Sequence, residues 1–231
     1  MNLVTEPIKL SNVFYNPNKN PDDSEHEYRD YLIFFDLETS GLCSIKDEII
    51  QIAAKSGAPG GKPFNLYCKP RRGISEEASK VNKLTFRQRT MRYKGVIVKS
   101  KPIKKVLEEF VVYLESIPLK KLILVAHNVT FDASFLVHNL TKYKLLGRFE
   151  KKVDGFVDTL KMFRSCYPGL YKFTQPFLVS WFMIDDIKLF EPHNGQSDVT
   201  YLRRLFFCSL YKRVPFKSLK HFGYRVNHFV K

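Results

Sequence analysis

The chain has 231 residues, of which 44% are hydrophobic, with 20 Phe and 12 Tyr; that apolar content suits one large domain or two small ones and excludes a disordered protein. A formal charge of +15 describes a basic molecule, and the commonest polyanion that such a molecule attracts is nucleic acid, ahead of an anionic membrane surface. Cys43, Cys68, Cys166 and Cys208 are widely spaced with no C-x-x-C pair, which excludes a zinc pattern and a dense disulfide framework and fits reduced, mostly packed thiols. No secretory signal pattern is present and the longest apolar run, residues 177–184, is far too short to span a bilayer. An intracellular protein of the nucleus or cytoplasm, without a membrane partner, is expected.

Residues 1–29 are polar, with Asn-Pro pairs and an acidic run, and read as a flexible N-terminal arm. Residues 31–41 begin with four apolar residues that run into Asp36 and Glu38 and then a Ser40-Gly41 turn, the pattern of a buried strand. Side chains two apart on a strand share a face, so Asp36 and Glu38 place two carboxylates together at its end. Adjacent anions in an apolar setting are unfavourable unless a cation lies between them, and a divalent ion held by carboxylate oxygens is the common answer. Two ordinary solvated acids are the alternative.

Residues 48–55 and 64–68 extend this strand into a three-stranded meander. Residues 75–84 predict a short helix capped by Ser75, with Ala78, Val81 and Leu84 along one face. Residues 87–105 are dense in Arg and Lys and read as a loop leading into a helix over residues 103–116, where Val106, Leu107, Phe110, Val111 and Leu114 recur with helical period. A buried strand over 122–126 then turns through His127 and Asn128 into a helix over 131–142. A strand at 155–157, a helix at 158–167 stopped by Pro168 and Gly169, and a buried helix at 176–184 follow. The last long helix, 196–211, aligns Val199, Leu202, Leu205 and Phe206, and the basic, aromatic tail after Pro215 reads as one more helix. Strands followed by alternating strands and helices predict an α/β fold with a mixed sheet, organised as arm 1–29, domain 30–211 and a basic aromatic extension 212–231.

Three more residues look chemical. Asp132 opens a helix directly after a strand and a His-Asn turn; Asp198 sits near the start of the last long helix; His193 lies in the loop five residues ahead of it. Each has an ordinary reading: acids in a first helical turn are favoured by the helix dipole, and a loop histidine is commonly a surface or packing residue. The ordered set is more specific. Phe34-Phe-Asp-Leu-Glu-Thr-Ser-Gly-Leu42, then Ala126-His-Asn-Val-Thr-Phe-Asp-Ala-Ser-Phe-Leu136, then His193-Asn-Gly-Gln-Ser-Asp198 resembles the three exonuclease motifs of the DEDDh superfamily, which includes proofreading subunits of replicative polymerases and TREX-type repair exonucleases. The resemblance covers about residues 31–210, and one departure is Gly195 where many members carry Ala.

That resemblance implies a ribonuclease H-like exonuclease fold, a mixed central sheet flanked by helices. It implies Asp36, Glu38, Asp132 and Asp198 as metal-binding acids and His193, of the histidine branch, as general base. The implied activity is 3′→5′ exonucleolytic hydrolysis of DNA ends with two Mg²⁺ ions, Mn²⁺ being able to substitute. RNA or short oligonucleotides are the alternative substrates, and a non-catalytic nucleic-acid-binding module of the same fold is the alternative class. Homodimerisation stays open. Nucleic-acid contacts are expected at Leu37, Thr39, Asn128, Phe131, Arg87 and Arg89, with Phe131 and Phe135 as candidate wedges against a terminal base. A more particular similarity, carried by Leu32-Ile-Phe-Phe-Asp-Leu and His127-Asn-Val-Thr-Phe, is to the exonuclease-like carboxyl-terminal region of promyelocytic leukaemia protein. Several of the acids are missing from that region, whereas all four stand here.

Overall fold

Alternation along the first strand divides the interior into two cores. In the computed structural model, which describes residues 28–184 and 189–230, strand β1 (Leu32–Thr39) sends Ile33, Phe35 and Leu37 to one side and Leu32 and Phe34 to the other. Residues 1–27, most of the expected arm, lie outside the described residues. β1 pairs antiparallel with β2 (Ile49–Ser56), which pairs antiparallel with β3 (Phe64–Lys69), giving the expected meander. After β3 come helix α1 (Glu76–Asn82) and strands β4 (Leu84–Arg87), β5 (Thr90–Tyr93), β6 (Val96–Ile97) and β7 (Ser100–Pro102). Then follow α2 (Ile103–Ser116), β8 (Leu122–Ala126), α3 (Val129–Lys142), α4 (Leu146–Lys152), β9 (Val153–Asp158), α5 (Thr159–Cys166), α6 (Gln175–Phe182), α7 (Gly195–Leu205) and the short strand β10 (Gly223–Arg225).

The main sheet has seven strands in the order β10-β9-β8-β1-β2-β3-β7. The β1–β8 and β8–β9 pairs are parallel and the β1–β2 and β9–β10 pairs antiparallel, so the sheet is mixed, as expected. A strand buried on both faces reads as a continuous apolar run rather than an alternating one, and β8 is buried at every position. On one face α2, α3 and α4 contribute Phe110, Leu114, Leu136 and Phe149 to the core; on the other, α5, α6 and α7 contribute Phe163, Leu178, Val179 and Leu202. Asp36 and Glu38 share the parity of Leu32 and Phe34 and so belong to the face covered by α5 to α7. Among the described residues no helix is long and apolar enough to cross a membrane.

Several expectations are corrected. The helix at 75–84 ends at Asn82, because Lys83 takes a left-handed conformation (φ 60°) and Leu84 enters β4, where it is fully buried with Met91 against Ile50; Val81 is exposed. The 87–105 stretch is not a loop: β4, β5 and β6 form a separate antiparallel sheet. Its two turns carry positive φ at Gln88 and Arg89 and at Lys94 and Gly95, the geometry of tight hairpin turns that match strand twist. Between α3 and β9, where the sequence predicts no element, stands helix α4, whose Arg148 pairs with Glu115 and whose Lys152 donates to the carbonyls of Ile117 and Leu119. The helix expected at 176–184 buries only one side, since Trp181 is exposed. The four cysteines are free, but Cys43 and Cys208 are exposed, so the expectation of mostly packed thiols holds for Cys68 and partly for Cys166.

Candidate active site

Beyond the apolar half of β1, the two acids on its α7-facing side meet the first turn of α7. Carboxylate oxygens of Asp36, Glu38 and Asp198 all lie within 4.8 Å of one another. Glu38 is 8% exposed and Asp198 9%, so water does little to separate their charges. Burial, followed by the charges of Asp36, Asp198 and Asp132, pushes the Glu38 carboxyl well above its usual value; a side-chain hydrogen bond from Asn82 opposes that rise. Burial pushes Asp36 up to about 7, and burial together with Asp36 pushes Asp198 up to about 9. The cluster is an anionic trap: it is held together by the fold and relieved by protons or by a cation.

Asp132 stands beside the trio. Its Oδ1 accepts the backbone N–H of Leu37 at 3.1 Å, which ties the start of α3 to β1, and burial followed by the Asp36 charge raises it well above the carboxylate range. Its helix begins where Asn128 adopts a left-handed turn (φ 65°), with the Asn128 N–H donating to Asp158 Oδ1 at 3.0 Å. His127, the first residue of this turn, is partly buried and spans between Thr159 Oγ1 (3.0 Å) and the carbonyl of Phe173 (2.7 Å); desolvation lowers its pKa, which fits an anchoring rather than a charged role.

The loop before α7 is wrapped onto Asp198. His193 has φ 62°, and the backbone N–H groups of His193 and Asn194 lie on the side of the Asp198 carboxyl, where they oppose the rise in its pKa. Asn194 caps the helix through Ser197, and Gln175 Nε2 donates to the Asp198 carbonyl at 2.8 Å. A polar chain from Gln51 to Asn65 (2.8 Å) and from Asn65 to Gln196 (2.9 Å) fixes the same turn to β2 and β3. A methyl group at Gly195 would lie 3.1 Å from Ala53 Cβ and 3.3 Å from Gln51, so the departure to glycine coincides with a close approach of α7 to the sheet. His193 is exposed at the cavity; partial desolvation of its imidazole, then the nearby Lys83, hold its pKa below the usual histidine value.

A cavity of about 840 Å³ opens over these groups. It is lined by all five expected catalytic residues, Asp36, Glu38, Asp132, His193 and Asp198, and by Leu37, Thr39, Asn128 and Phe131. Arg87 and Arg89 are not in its lining; they occupy the exposed β4–β5 turn. Phe135 is 1% exposed and packs in the core beside Phe131, so its proposed wedge role is withdrawn. Residues missed from the sequence include Asn82, Gln175, Tyr171 and Lys172, all in the same lining. Asn82 and Gln175 act through partners far away in the chain, which no local pattern announces. The interleaving of Arg164, Tyr171, Lys172 and Phe173 was a readable signal.

A mixed sheet flanked by helices on both faces, with acids at the end of its central strand, is the architecture of ribonuclease H-like nucleases. An exonuclease family model (RNase T) matches residues 33–206, and the chain belongs to that family, within the DEDDh superfamily. Relatives include the PolC-type DNA polymerase III of Streptococcus mutans, 32% identical over 155 residues that cover 64% of this chain and 9% of the polymerase. The PolC-type DNA polymerase III of Caldanaerobacter subterraneus subsp. tengcongensis is 31% identical over 193 residues, 82% of this chain and 12% of the polymerase. The chain therefore spans about a tenth of the length of these relatives. Among solved structures, Escherichia coli exonuclease I bound to single-stranded DNA superposes with TM-score 0.62 at 18% identity, over 79% of this chain and 40% of that one. Exonuclease X in complex with 5′ overhanging duplex DNA superposes with TM-score 0.51 at 18% identity, over 83% and 98%. At that identity the likeness concerns the fold.

Proposed function

We propose that this chain is a metal-dependent 3′→5′ exonuclease that releases nucleotides from DNA ends. The observation that carries this reading is the convergence of three carboxylates, Glu38 and Asp198 buried and Asp36 partly so, within 4.8 Å, where every charge acting on Glu38 is another acid. An all-carboxylate donor set fits a hard cation, Mg²⁺ or Mn²⁺, better than zinc, which favours nitrogen and sulfur ligands. Asp36, Glu38 and Asp198 would hold the ions, with Asp132 completing the set. When bound, a pair of such ions stabilises the entering and leaving oxygens of an in-line phosphodiester displacement.

The chain's own groups supply the remainder. His193, its pKa below the usual value, is neutral near pH 7 and suited to take the proton from the attacking water. The backbone N–H groups of His193 and Asn194 favour the charged form of Asp198, so the loop that carries the base also acts on one of the acids. Leu37, Thr39, Asn128 and Phe131 form walls against which a terminal nucleotide would be aligned. The charge of +15 favours a polyanionic substrate, and the DNA polymerase relatives and the DNA-bound exonucleases support DNA as that substrate.

The test is a digestion of DNA and RNA, single- and double-stranded, labelled at the 5′ end in one set and the 3′ end in another, with Mg²⁺, Mn²⁺ or EDTA. A ladder shortening from the 3′ end of DNA, abolished by EDTA and by Asp36→Asn, is expected. Degradation confined to RNA would replace the substrate. No metal-dependent cleavage of any polymer would make the chain a binding module.

A further inference from the structure

A strip of aromatic rings leads away from the acidic cavity. Tyr171 lines the cavity and is 82% exposed; its ring meets Phe177 edge-on at 4.7 Å, and Phe177 lies 5.7 Å from Trp181, which is 58% exposed. Phe177 and Trp181 are four residues apart on α6 and so share one face, while Leu178 and Val179 point into the core. Among the described residues, Tyr171 and Trp181 are the two exposed side chains of Phe, Tyr or Trp type, the other rings being buried or partly buried. The two that break the rule belong to one continuous strip that ends at the acids. Its inner end is fixed, because His127 in the turn before α3 donates to the Phe173 carbonyl two residues past Tyr171.

The surroundings are cationic. Lys172 and Arg164 are exposed and line the same cavity, and the Arg164 guanidinium lies 5.9 Å from the Phe173 ring. Exposed rings beside exposed cations match an unpaired polynucleotide, whose bases stack on the rings while its phosphates meet the cations; a duplex keeps its base faces covered. We propose that Tyr171, Phe177 and Trp181 form a stacking strip for single-stranded nucleic acid, receiving the bases next to the terminal nucleotide, with Lys172 and Arg164 on the phosphates. The direction of the strand, with its end at the acids, rests on the exonuclease reading above.

The test uses the full chain in EDTA with fluorescein-labelled thymidine oligomers of two and eight nucleotides and a blunt hairpin duplex, read by anisotropy. The octamer should bind at least tenfold more tightly than the dimer, and Tyr171→Ala with Trp181→Ala should lower octamer affinity by about tenfold or more, removing the gain with length. Tyr171→Phe with Trp181→Phe should keep that gain, which separates ring loss from misfolding. A double alanine variant that retains the gain, or that weakens the hairpin by the same factor, overturns the strip and assigns these rings to a protein partner. If the wild type releases no nucleotides yet its gain with length depends on the rings, the strip stands and the exonuclease reading falls. If it degrades DNA while the gain ignores the rings, the strip alone falls.

Discussion

Replacing Asp36 by Asn should stabilise the metal-free protein at pH 8 while abolishing cleavage. Burial pushes Asp36 from 3.8 up to about 7, so between those values the folded chain retains a proton that the unfolded chain releases. The stability associated with this proton is fully present below pH 3.8 and is lost as pH rises through about 7. At about 1.36 kcal/mol for each unit of pKa, the loss by pH 8 has a ceiling of about 4 kcal/mol. Asp198, pushed up to about 9 partly by Asp36, loses its share over a wider range, and the two contributions are not additive because one charge is a cause of the other. For a chain of this size each kcal/mol moves Tm by roughly 2–4 °C. The assay is thermal denaturation by circular dichroism at pH 5, 6.5 and 8, in EDTA and in Mg²⁺. The difference between Asp36→Asn and wild type isolates this group from the remaining acids: it should be small at pH 5 and should reach several degrees in favour of the variant at pH 8. Mg²⁺ at about a hundred times its Kd should restore about 2.7 kcal/mol to the wild type and much less to the variant. A variant less stable than wild type at pH 8 in EDTA, or a difference that ignores pH, would refute the electrostatic account of the cluster.

Three further outcomes are expected. His193→Ala should reduce kcat by about a hundredfold or more while Mg²⁺ still raises Tm, the usual loss for a general base; turnover equal to wild type removes the base assignment. Lys83→Gln should move the acid limb of kcat/KM toward higher pH, because Lys83 is one of the two causes that hold His193 below its usual pKa; an unmoved limb means that the lysine does not act on the reacting histidine. Gln88→Asn combined with Arg89→Gly should raise Tm by about 4–8 °C, since residues with a side chain in the left-handed region cost about 1 kcal/mol each and Asn-Gly relieves that strain; an unchanged or lower Tm in heat denaturation would show that the turn is not strained.

Legibility followed the range of the interaction. Strand β8 and helix α2 match their expected bounds, because burial on both faces and a one-sided apolar stripe are each written locally. The facing of Asp36 and Glu38 was legible for the same reason, parity along a strand. The second sheet was hidden because its first turn, Gln88-Arg89, lacks the Asn or Gly that tight hairpins prefer, and because its basic residues resemble a solvated loop. Leu84 shows the error in miniature: three-residue spacing placed it on a helix, but the left-handed Lys83 ended that helix one residue earlier. What no local pattern held was the set of long-range ties that bring the site together. Gln175 reaches Asp198, His127 reaches Phe173, and Gln51 reaches Gln196 by way of Asn65. These ties act on the first turn of α7 and the loops around it, where Gly195 passes close to Ala53 and His193 turns back onto Asp198. The motifs thus name the charged groups, while the distance between them is set by neutral amides and a glycine. In that division of labour four acids that repel one another are kept together by side-chain amide and close-packing contacts that hold the start of α7 against the sheet.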